Sequence, residues 1–116
     1  MQDENCIFCQ IAAGKMKSDT VYRDELVTAF RDINPAAPTH ILIIPNEHIA
    51  DNNQLIKGKE TIAARLLTVV PELAALEGIA ESGYRLIMNT GPDGRQEVKH
   101  LHLHMIGGQR MQHPMG

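Results

Sequence analysis

The most regular alternation of polar and apolar residues lies near the C-terminus, where residues 100–105 read HLHLHM. Successive side chains of an extended strand point to opposite faces, so this pattern predicts a β-strand over Lys99–Ile106. The three histidines would share one face, and Leu101, Leu103 and Met105 the other. The leucine face can enter a core. The histidine face must line a polar site, because buried imidazole nitrogens need hydrogen-bond partners.

Other apolar segments predict the remaining large elements. Thr39–Ile44 is a strongly apolar, β-branched run that predicts a central strand, and Tyr84–Met88 predicts another. Two short strands, Thr20–Arg23 and Leu26–Arg31, are expected around the polar pair at residues 24–25, which is a hairpin signal. Apolar residues at steps of three and four predict a main helix from Glu60 to Ser82, with core positions at Ile62, Leu66, Val69, Leu73, Leu76 and Ala80. Pro71 lies inside this helix and predicts a kink or a break, because its ring clashes with the carbonyl group four residues earlier.

Two shorter helices are also expected. One covers Cys6–Ala13 and stops at Gly14, and the other begins at Glu47 with Asn46 as its N-cap. The elements together predict an α+β fold in a single domain over residues 1–116. A five-stranded antiparallel sheet would carry one main helix on one face and leave the other face open for a ligand.

Composition narrows the possible functions. The formal net charge is −3, so no broad basic surface indicates nucleic-acid binding. No run approaches the roughly 20 apolar residues of a membrane span, and the polar residues 1–5 do not resemble a secretory signal. We therefore expect a cytoplasmic protein with neither a nucleic-acid nor a membrane partner. The C-x-x-C spacing of Cys6 and Cys9 suits a metal site or a redox pair better than a disulfide framework.

The residues alone leave three interpretations of the histidine segment. The alternation can be a coincidence, which three histidines in register on one face disfavour. It can be a metal site, but His100 and His104 would start about 13–14 Å apart on a strand, so a single ion would bind two neighbouring histidines more easily than all three. It can also hold a nucleophile, because neutral imidazole attacks phosphorus to give a covalent phospho-histidine.

The segment HLHLHMI at residues 100–106 resembles the His-x-His-x-His-x-x signature of the histidine triad (HIT) family. The similarity includes segments 29–40, 44–49, 88–91, 96–98 and 106–110, and from about Asn5 onward the chain resembles the Hint branch. The resemblance implies a homodimer whose two sheets join into one ten-stranded sheet. It also implies a hydrolase that binds purine nucleotides and cleaves the P–N bond of nucleoside phosphoramidates. The reaction would pass through a nucleotidyl-histidine intermediate and require no cofactor.

The same resemblance assigns roles to residues. The catalytic set would be His102, His104, His40 and His100. His102 would be the nucleophile, and His104 and His40 would hold phosphate oxygens or the leaving group. The apolar base pocket would contain Ile7, Phe8, Phe30 and Ile33. The loop that frames the phosphate would contain Gln96, Glu97 and Val98.

Two polar residues complete the expected nucleotide site. By the resemblance, Asp32 would accept hydrogen bonds from the ribose hydroxyls and Asn89 would lie beside the phosphate. Considered singly, Asp32 before a loop is an ordinary turn former, and Asn89 is an ordinary residue at the end of a strand. Their order along the chain together with the triad favours the functional interpretation.

Some relatives with a C-x-x-C at this position bind zinc, and the resemblance implies a structural zinc site formed by Cys6, Cys9, His48 and His100. Two thiolates and two imidazoles suit a closed tetrahedral site, which would leave His102 and His104 available for substrate. The alternative is a pair of reduced, partly buried cysteines without a metal.

Three positions depart from the family pattern. Arg95 stands where glycine is common and adds a cation beside the phosphate loop. Glu97 stands where many eukaryotic members have serine. His113 falls where vertebrate-type members place a tryptophan from the partner subunit, so the C-terminal tail bears on the choice of leaving group.

Two functions of other classes stay open at this point. One is a nucleotide-binding regulatory module with little catalysis. The other is a zinc-dependent interaction module in which the histidine segment mainly builds the metal site. Nucleotide binding without turnover would identify the first, and unfolding on removal of the metal without any response to AMP would identify the second.

Overall fold

A computed structural model describes residues 5–115 as one antiparallel five-stranded sheet with two α-helices. The strands are β1 (Thr20–Arg23), β2 (Val27–Arg31), β3 (Thr39–Pro45), β4 (Tyr84–Met88) and β5 (Leu103–Gly107), in the spatial order β1-β2-β3-β5-β4. The α-helices are α1 (Ile7–Ala12) and α2 (Glu60–Glu77), and a short 3₁₀ turn at Asn52–Gln54 lies between them in the chain. The predicted α+β class is confirmed. Within the described residues, no helix combines the length and apolar character needed to cross a membrane.

The central strand β3 is buried on both faces, and its side chains alternate between two cores. Ile41 and Ile43 face α2 and form one core with residues of that helix, among them Leu66, Val69 and Leu73. Leu42 and Ile44 face the opposite side, where they pack with Phe30 against the short helix α1. The face that was predicted to be open is therefore partly covered by α1, and a cavity lies between the helix and the sheet.

The β1–β2 hairpin is fastened to α2 through Asp24. Its carboxylate accepts the backbone N–H groups of Leu26 and Val27, both at 2.8 Å, and the Nε–H of Arg65 at 2.8 Å. Partial burial acts to raise the pKa of Asp24, but these hydrogen bonds together hold that pKa well below its usual range. The hairpin predicted around residues 24–25 is thus confirmed. Its turn is stabilised by the backbone hydrogen bonds to Asp24 and by the ion pair with Arg65.

The main helix ends earlier than predicted. It stops at Glu77, because Gly78 adopts the left-handed conformation (φ 71°) that ends many helices. The predicted core positions Leu76, which is 75% exposed, and Ala80 are therefore wrong. The positions buried in their place are Val70, Ala74 and Ile79. The chain reverses at Gly78, so Ile79 returns to the core although the helical spacing no longer applies.

Pro71 does not break the helix, because α2 runs continuously through it. The carbonyl group that loses its hydrogen bond belongs to Leu67, whose side chain is 57% exposed, so water can solvate that side of the helix. The helix predicted from Glu47 is also absent. Asn46 is used elsewhere, since its side chain accepts from the Thr28 hydroxyl at 2.6 Å and donates to the Asp24 carbonyl oxygen at 2.8 Å.

The histidine strand begins four residues later than predicted, at Leu103. Its partner β3 pairs Ile43 with Leu103, and no ladder pairing extends to residues 99–102. The alternation nevertheless persists through the irregular part, because Leu101, Leu103 and Met105 all lie in the α2-side core with at most 4% exposure. The predicted division of the segment into an apolar face and a histidine face is confirmed.

Candidate active site and metal centre

His102 is fixed in one tautomer by the backbone. Its Nδ1 lies 2.7 Å from the carbonyl oxygen of His100. A carbonyl oxygen only accepts, so Nδ1 carries the proton and Nε2 keeps its lone pair. The ring is 7% exposed, lines the cavity described below, and meets the edge of Phe8 at a centroid distance of 5.3 Å. This is the arrangement that a histidine nucleophile needs.

His40 and His104 form a second pair whose tautomers are also determined. The backbone N–H of Ala36 donates to Nδ1 of His40 over 3.0 Å, so the neutral ring has its proton on Nε2. That nitrogen lies 2.9 Å from Nδ1 of His104 and donates to it. His104 is left with an Nε2–H group. Burial, followed by the neighbouring histidines, lowers the pKa of His104 to about 4, and burial also lowers the pKa of His40.

Asp32 serves both the loop and the cavity. Its Oδ1 accepts the backbone N–H of Asn34 at 2.8 Å, which is the ordinary turn role. Its Oδ2 lies 3.4 Å from Nε2 of His40, and the residue lines the cavity. The turn role of Asp32 is therefore confirmed, and its position in the cavity lining is compatible with the ribose contact, which stays a prediction.

A cavity of about 510 Å³ lies between α1, the sheet and the loop after β4. The expected residues that line it are Ile7, Phe8, Phe30, Asp32, Ile33, Asn89, Glu97, Val98, His102 and His104. His40 and His100 lie behind this surface, in contact with residues that reach it. An apolar section and a polar section thus meet in one cavity, which suits a ligand with a flat apolar part joined to a charged part.

Gln96 lies outside the lining. Its side-chain amide donates to the carbonyl oxygens of Ala50 (2.8 Å) and Val98 (2.9 Å) and accepts the Gly91 N–H (3.1 Å). The structure therefore places Gln96 as a support of the loop and places its neighbour Glu97 at the cavity. Asn89 also supports the loop, since its Nδ2 donates to the Gly94 carbonyl oxygen at 2.7 Å.

Arg95, which the sequence placed beside the phosphate loop, also lines the cavity. Sequence reasoning missed several other lining residues, namely Ile11, Met16, Lys17, Ser18, Asp19, Arg31 and Leu42. Two of them had a usable signal. Ile11 follows Ile7 by four residues on α1, so both lie on one helix face. Leu42 is the register partner of Phe30 in the β2–β3 pair. The segment 16–19 had no such signal, because it carries no periodic pattern.

Four residues expected to bind zinc converge at the N-terminus of α1. The ring of His100 places Nδ1 3.1 Å from Sγ of Cys6 and 3.4 Å from Sγ of Cys9, and Nδ1 of His48 lies 3.2 Å from Sγ of Cys9. All four ligand atoms lie within 4.8 Å of one another. A tetrahedral zinc with normal bond lengths would set sulfur and nitrogen about 3.6 Å apart, so small adjustments suffice.

The protonation state of His100 also fits a metal. Its Nε2 donates to the Pro45 carbonyl oxygen at 2.9 Å, so Nδ1 directs a lone pair at the two sulfur atoms. Burial lowers the pKa of His100 to about 4, which keeps the ring neutral. A second group of potential ligands, Asp32, His40 and His104, is equally compact. There the N–H of Ala36 keeps the proton of His40 on Nε2, so the nitrogen that faces the group has no lone pair for a cation.

Comparison with known proteins agrees with this geometry. The model of the HIT domain matches residues 13–111, and the chain belongs to the HIT family. The HIT family hydrolase of Legionella pneumophila Philadelphia 1 superimposes with a TM-score of 0.93 at 46% identity, over 97% of this chain and 100% of that one.

Two relatives bear on the two halves of the site. The purine nucleoside phosphoramidase of Escherichia coli strain K12 is 54% identical over 106 residues, which are 91% of this chain and 89% of that protein. The 14 kDa zinc-binding protein of Zea mays is 46% identical over 120 aligned residues, covering 100% of this chain and 91% of that protein.

Proposed function

We propose that the protein hydrolyses purine nucleoside phosphoramidates at the P–N bond through a nucleotidyl intermediate on His102. The observation that carries the proposal is the state of this imidazole, which is bound at Nδ1 by a backbone carbonyl and has its Nε2 lone pair available at the cavity. The 54% identity with a purine nucleoside phosphoramidase supports the reaction class.

In the first step, Nε2 of His102 attacks the α-phosphorus and the bond from phosphorus to the leaving nitrogen breaks. The leaving nitrogen takes a proton from solvent at the open mouth of the cavity. The positive charge that forms on the ring of His102 is stabilised by the carbonyl oxygen of His100 at Nδ1–H. The Nε2–H of His104 donates to a phosphate oxygen, and His40 holds it in the tautomer that can do so.

In the second step, water attacks phosphorus, the bond to Nε2 breaks and one proton returns to solvent. The products are the nucleoside monophosphate and the free amine, and His102 is restored. No proton has to leave His104 or His40 in either step, because both rings act as fixed hydrogen-bond donors. This is consistent with their low pKa values, which keep them neutral at physiological pH.

The apolar section of the cavity would hold the base between Phe8, Phe30 and the isoleucines at positions 7 and 33. Oδ2 of Asp32 would accept the ribose hydroxyls, and the loop from Asn89 to Val98 would surround the phosphate. The ribose would span the distance between the apolar section and His102, which would place the α-phosphorus next to Nε2.

We also assign a structural zinc to Cys6, Cys9, His48 and His100. When bound, the ion would contribute a closed tetrahedral cross-link and no step of the reaction. The four residues join the N-terminus of α1 to the segment before β5, so they hold Phe8 and His102 in their relative positions. Two observations support this assignment. The two thiols and two imidazoles are the ligands that a structural zinc site uses, and one relative is a zinc-binding protein.

The protein is further proposed to be a homodimer joined through β4. This strand lies at one edge of the sheet, and two of its residues, Tyr84 (36% exposed) and Leu86 (37% exposed), leave apolar surface uncovered. An edge strand with exposed apolar side chains can pair with a copy of itself and extend the sheet to ten strands. Light scattering after size-exclusion chromatography should give twice the mass of the chain, and a monomer would contradict this part.

The test of the activity uses His102→Ala with adenosine 5′-phosphoramidate. Turnover should fall by about a thousandfold or more, whereas AMP should still bind, because the base pocket and Asp32 are unchanged. Calorimetric titration with AMP reports the binding. An enzyme variant that keeps near-normal turnover would remove His102 from the mechanism, and a wild-type protein that binds AMP without turnover would contradict the proposed activity.

A further inference from the structure

Arg95 has an unusual backbone conformation. Within residues 5–115 it is the only residue other than glycine with a positive φ angle, 62°. A side chain with a Cβ atom is strained there, whereas glycine is not. The turn itself is held by other groups, since the backbone N–H of Arg95 donates to the Pro92 carbonyl oxygen at 3.0 Å and Gln96 N–H to that of Gly91 at 3.0 Å. The loop therefore gains no shape from the arginine side chain.

The side chain of Arg95 is exposed and lines the cavity beside Glu97. Its guanidinium has no hydrogen bond or ion pair with the part of the chain that the structure describes. Arg31 also lines the cavity, but its charge is already paired, because both of its terminal nitrogens donate to the Glu77 carboxylate at 2.8 Å. A strained arginine with an uncommitted charge at a cavity points to a ligand group rather than to folding.

The depth of the residues indicates which part of a substrate Arg95 meets. The α-phosphorus must reach His102, which is 7% exposed, and the nucleoside fills the apolar section. The group on the far side of the phosphorus then extends toward the mouth, where Arg95 and Glu97 are both exposed. Two other cations line the cavity: Arg31, which is paired with Glu77, and Lys17, which lies on the segment before β1. The guanidinium of Arg95 is thus the positive charge on the loop that carries Glu97.

We propose that Arg95 is a specificity residue that selects phosphoramidates whose leaving amine carries a carboxylate. This inference rests on the proposed phosphoramidase function. A guanidinium binds a carboxylate through two parallel N–H···O bonds, a match that an amide lacks. Glu97 acts in the opposite direction, because its carboxylate repels an anionic leaving group at the same mouth.

The test compares two adenosine 5′-phosphoramidates, one with β-alanine and one with β-alaninamide as the leaving amine. They are similar in size and differ in one negative charge. The measured quantity is the ratio of kcat/KM for the acid over the amide. Arg95→Gly should lower this ratio about tenfold, the size expected for one charged hydrogen-bonded pair at a partly exposed site. Arg95→Lys should keep most of it, and Glu97→Gln should raise it.

Two controls separate specificity from structure. Lys99→Gln removes one positive charge from an exposed residue outside this cavity and should leave the ratio unchanged. The melting temperature of Arg95→Gly should not fall, because glycine adopts the left-handed conformation without strain. A lower melting temperature would instead show that the side chain supports the loop, which overturns the inference.

The kinetic outcomes are equally distinct. An equal loss of kcat/KM on both substrates in Arg95→Gly would place Arg95 at the α-phosphate and overturn the selectivity. An unchanged ratio would overturn it as well. If the wild-type protein cleaves neither substrate, the proposed phosphoramidase function fails, and the inference about Arg95 fails with it.

Discussion

Nδ1 of His102 lies 2.7 Å from the backbone carbonyl oxygen of His100, while the ring of His100 is held between Pro45 and the two cysteines. One residue therefore connects the proposed zinc cluster with the proposed nucleophile. Its side chain anchors the segment, and its carbonyl group sets the tautomer of His102. A disturbance of the cluster should consequently reach the reaction centre, although none of the four cluster residues has to contact the substrate.

Metal removal is expected to destabilise the protein. If zinc is present at a hundredfold excess over its Kd, it contributes about 3 kcal/mol to the free energy of unfolding, which is roughly 10 °C in melting temperature for a domain of this size. A strong chelator should lower the melting temperature of the wild-type protein by about that amount. Native mass spectrometry should show one zinc per chain before the treatment and none after it.

The variant Cys9→Ser provides the control for the metal. It changes one sulfur to oxygen at a residue that is 2% exposed, so it removes a ligand with little change in packing. Its melting temperature should start lower and should not respond to the chelator. An equal response of Cys9→Ser and wild type would show that the chelator acts at some place other than this cluster.

Acid should destabilise the protein partly through His104. Burial lowers its pKa from 6.5 to about 4, whereas in the unfolded chain it titrates near 6.5. Between these values the unfolded state binds more protons than the folded state, so stability is complete above about pH 6.5 and is lost as the pH falls toward 4. Because the ring is only half-buried, we expect about 1–2 kcal/mol from this residue.

The measurement compares denaturant unfolding of wild type and His104→Gln at pH 7 and pH 4.5. The variant should lose about 1–2 kcal/mol less than wild type over this interval. His113→Gln, which changes an exposed histidine in the tail, should lose as much as wild type. Equal losses in all three proteins would remove His104 as a source of the acid sensitivity.

Asp32 is expected to act on substrate binding. In the wild-type protein Oδ1 of Asp32 accepts the Asn34 N–H at 2.8 Å. Asp32→Asn keeps an oxygen for this hydrogen bond but removes the negative charge that would face the ribose hydroxyls. KM for the ribonucleotide substrate should rise about tenfold, with little change in kcat, because Asp32 does not contact the reacting atoms. The 2′-deoxy substrate should show a smaller rise. Equal effects on the two substrates would exclude contact with the 2′-hydroxyl.

Local patterns in the sequence predicted most of the fold. The bounds of β1 and β4 are confirmed without change, and the start of β3 at Thr39 is confirmed as well, because short runs of strand-forming residues bounded by turn residues leave few alternatives. The errors occur where a distant contact decides. Asn46 was predicted to cap a helix, but its side chain joins Thr28 to the Asp24 carbonyl group instead. No pattern within residues 40–52 contains that information.

The site was predictable to a similar extent. The alternation at residues 100–105 gave the two faces correctly, since burial of leucines forces the histidines to the other side. It could not give the tautomers, which depend on the carbonyl group of His100 and the N–H group of Ala36. Nor could it show that Gln96 turns away from the cavity to bind Ala50, a residue 46 positions earlier in the chain.

The most direct test of the central claim is to identify the atom that carries the nucleotide. The protein is mixed with adenosine 5′-phosphoramidate, quenched within one turnover and analysed by peptide mass spectrometry, and ³¹P NMR of the trapped protein distinguishes the two ring nitrogens. One adenylyl group per active site is expected, attached to Nε2 of His102, because Nδ1 donates to the His100 carbonyl oxygen. An adduct on His104 or on Nδ1 of His102, or turnover without any adduct, would contradict it.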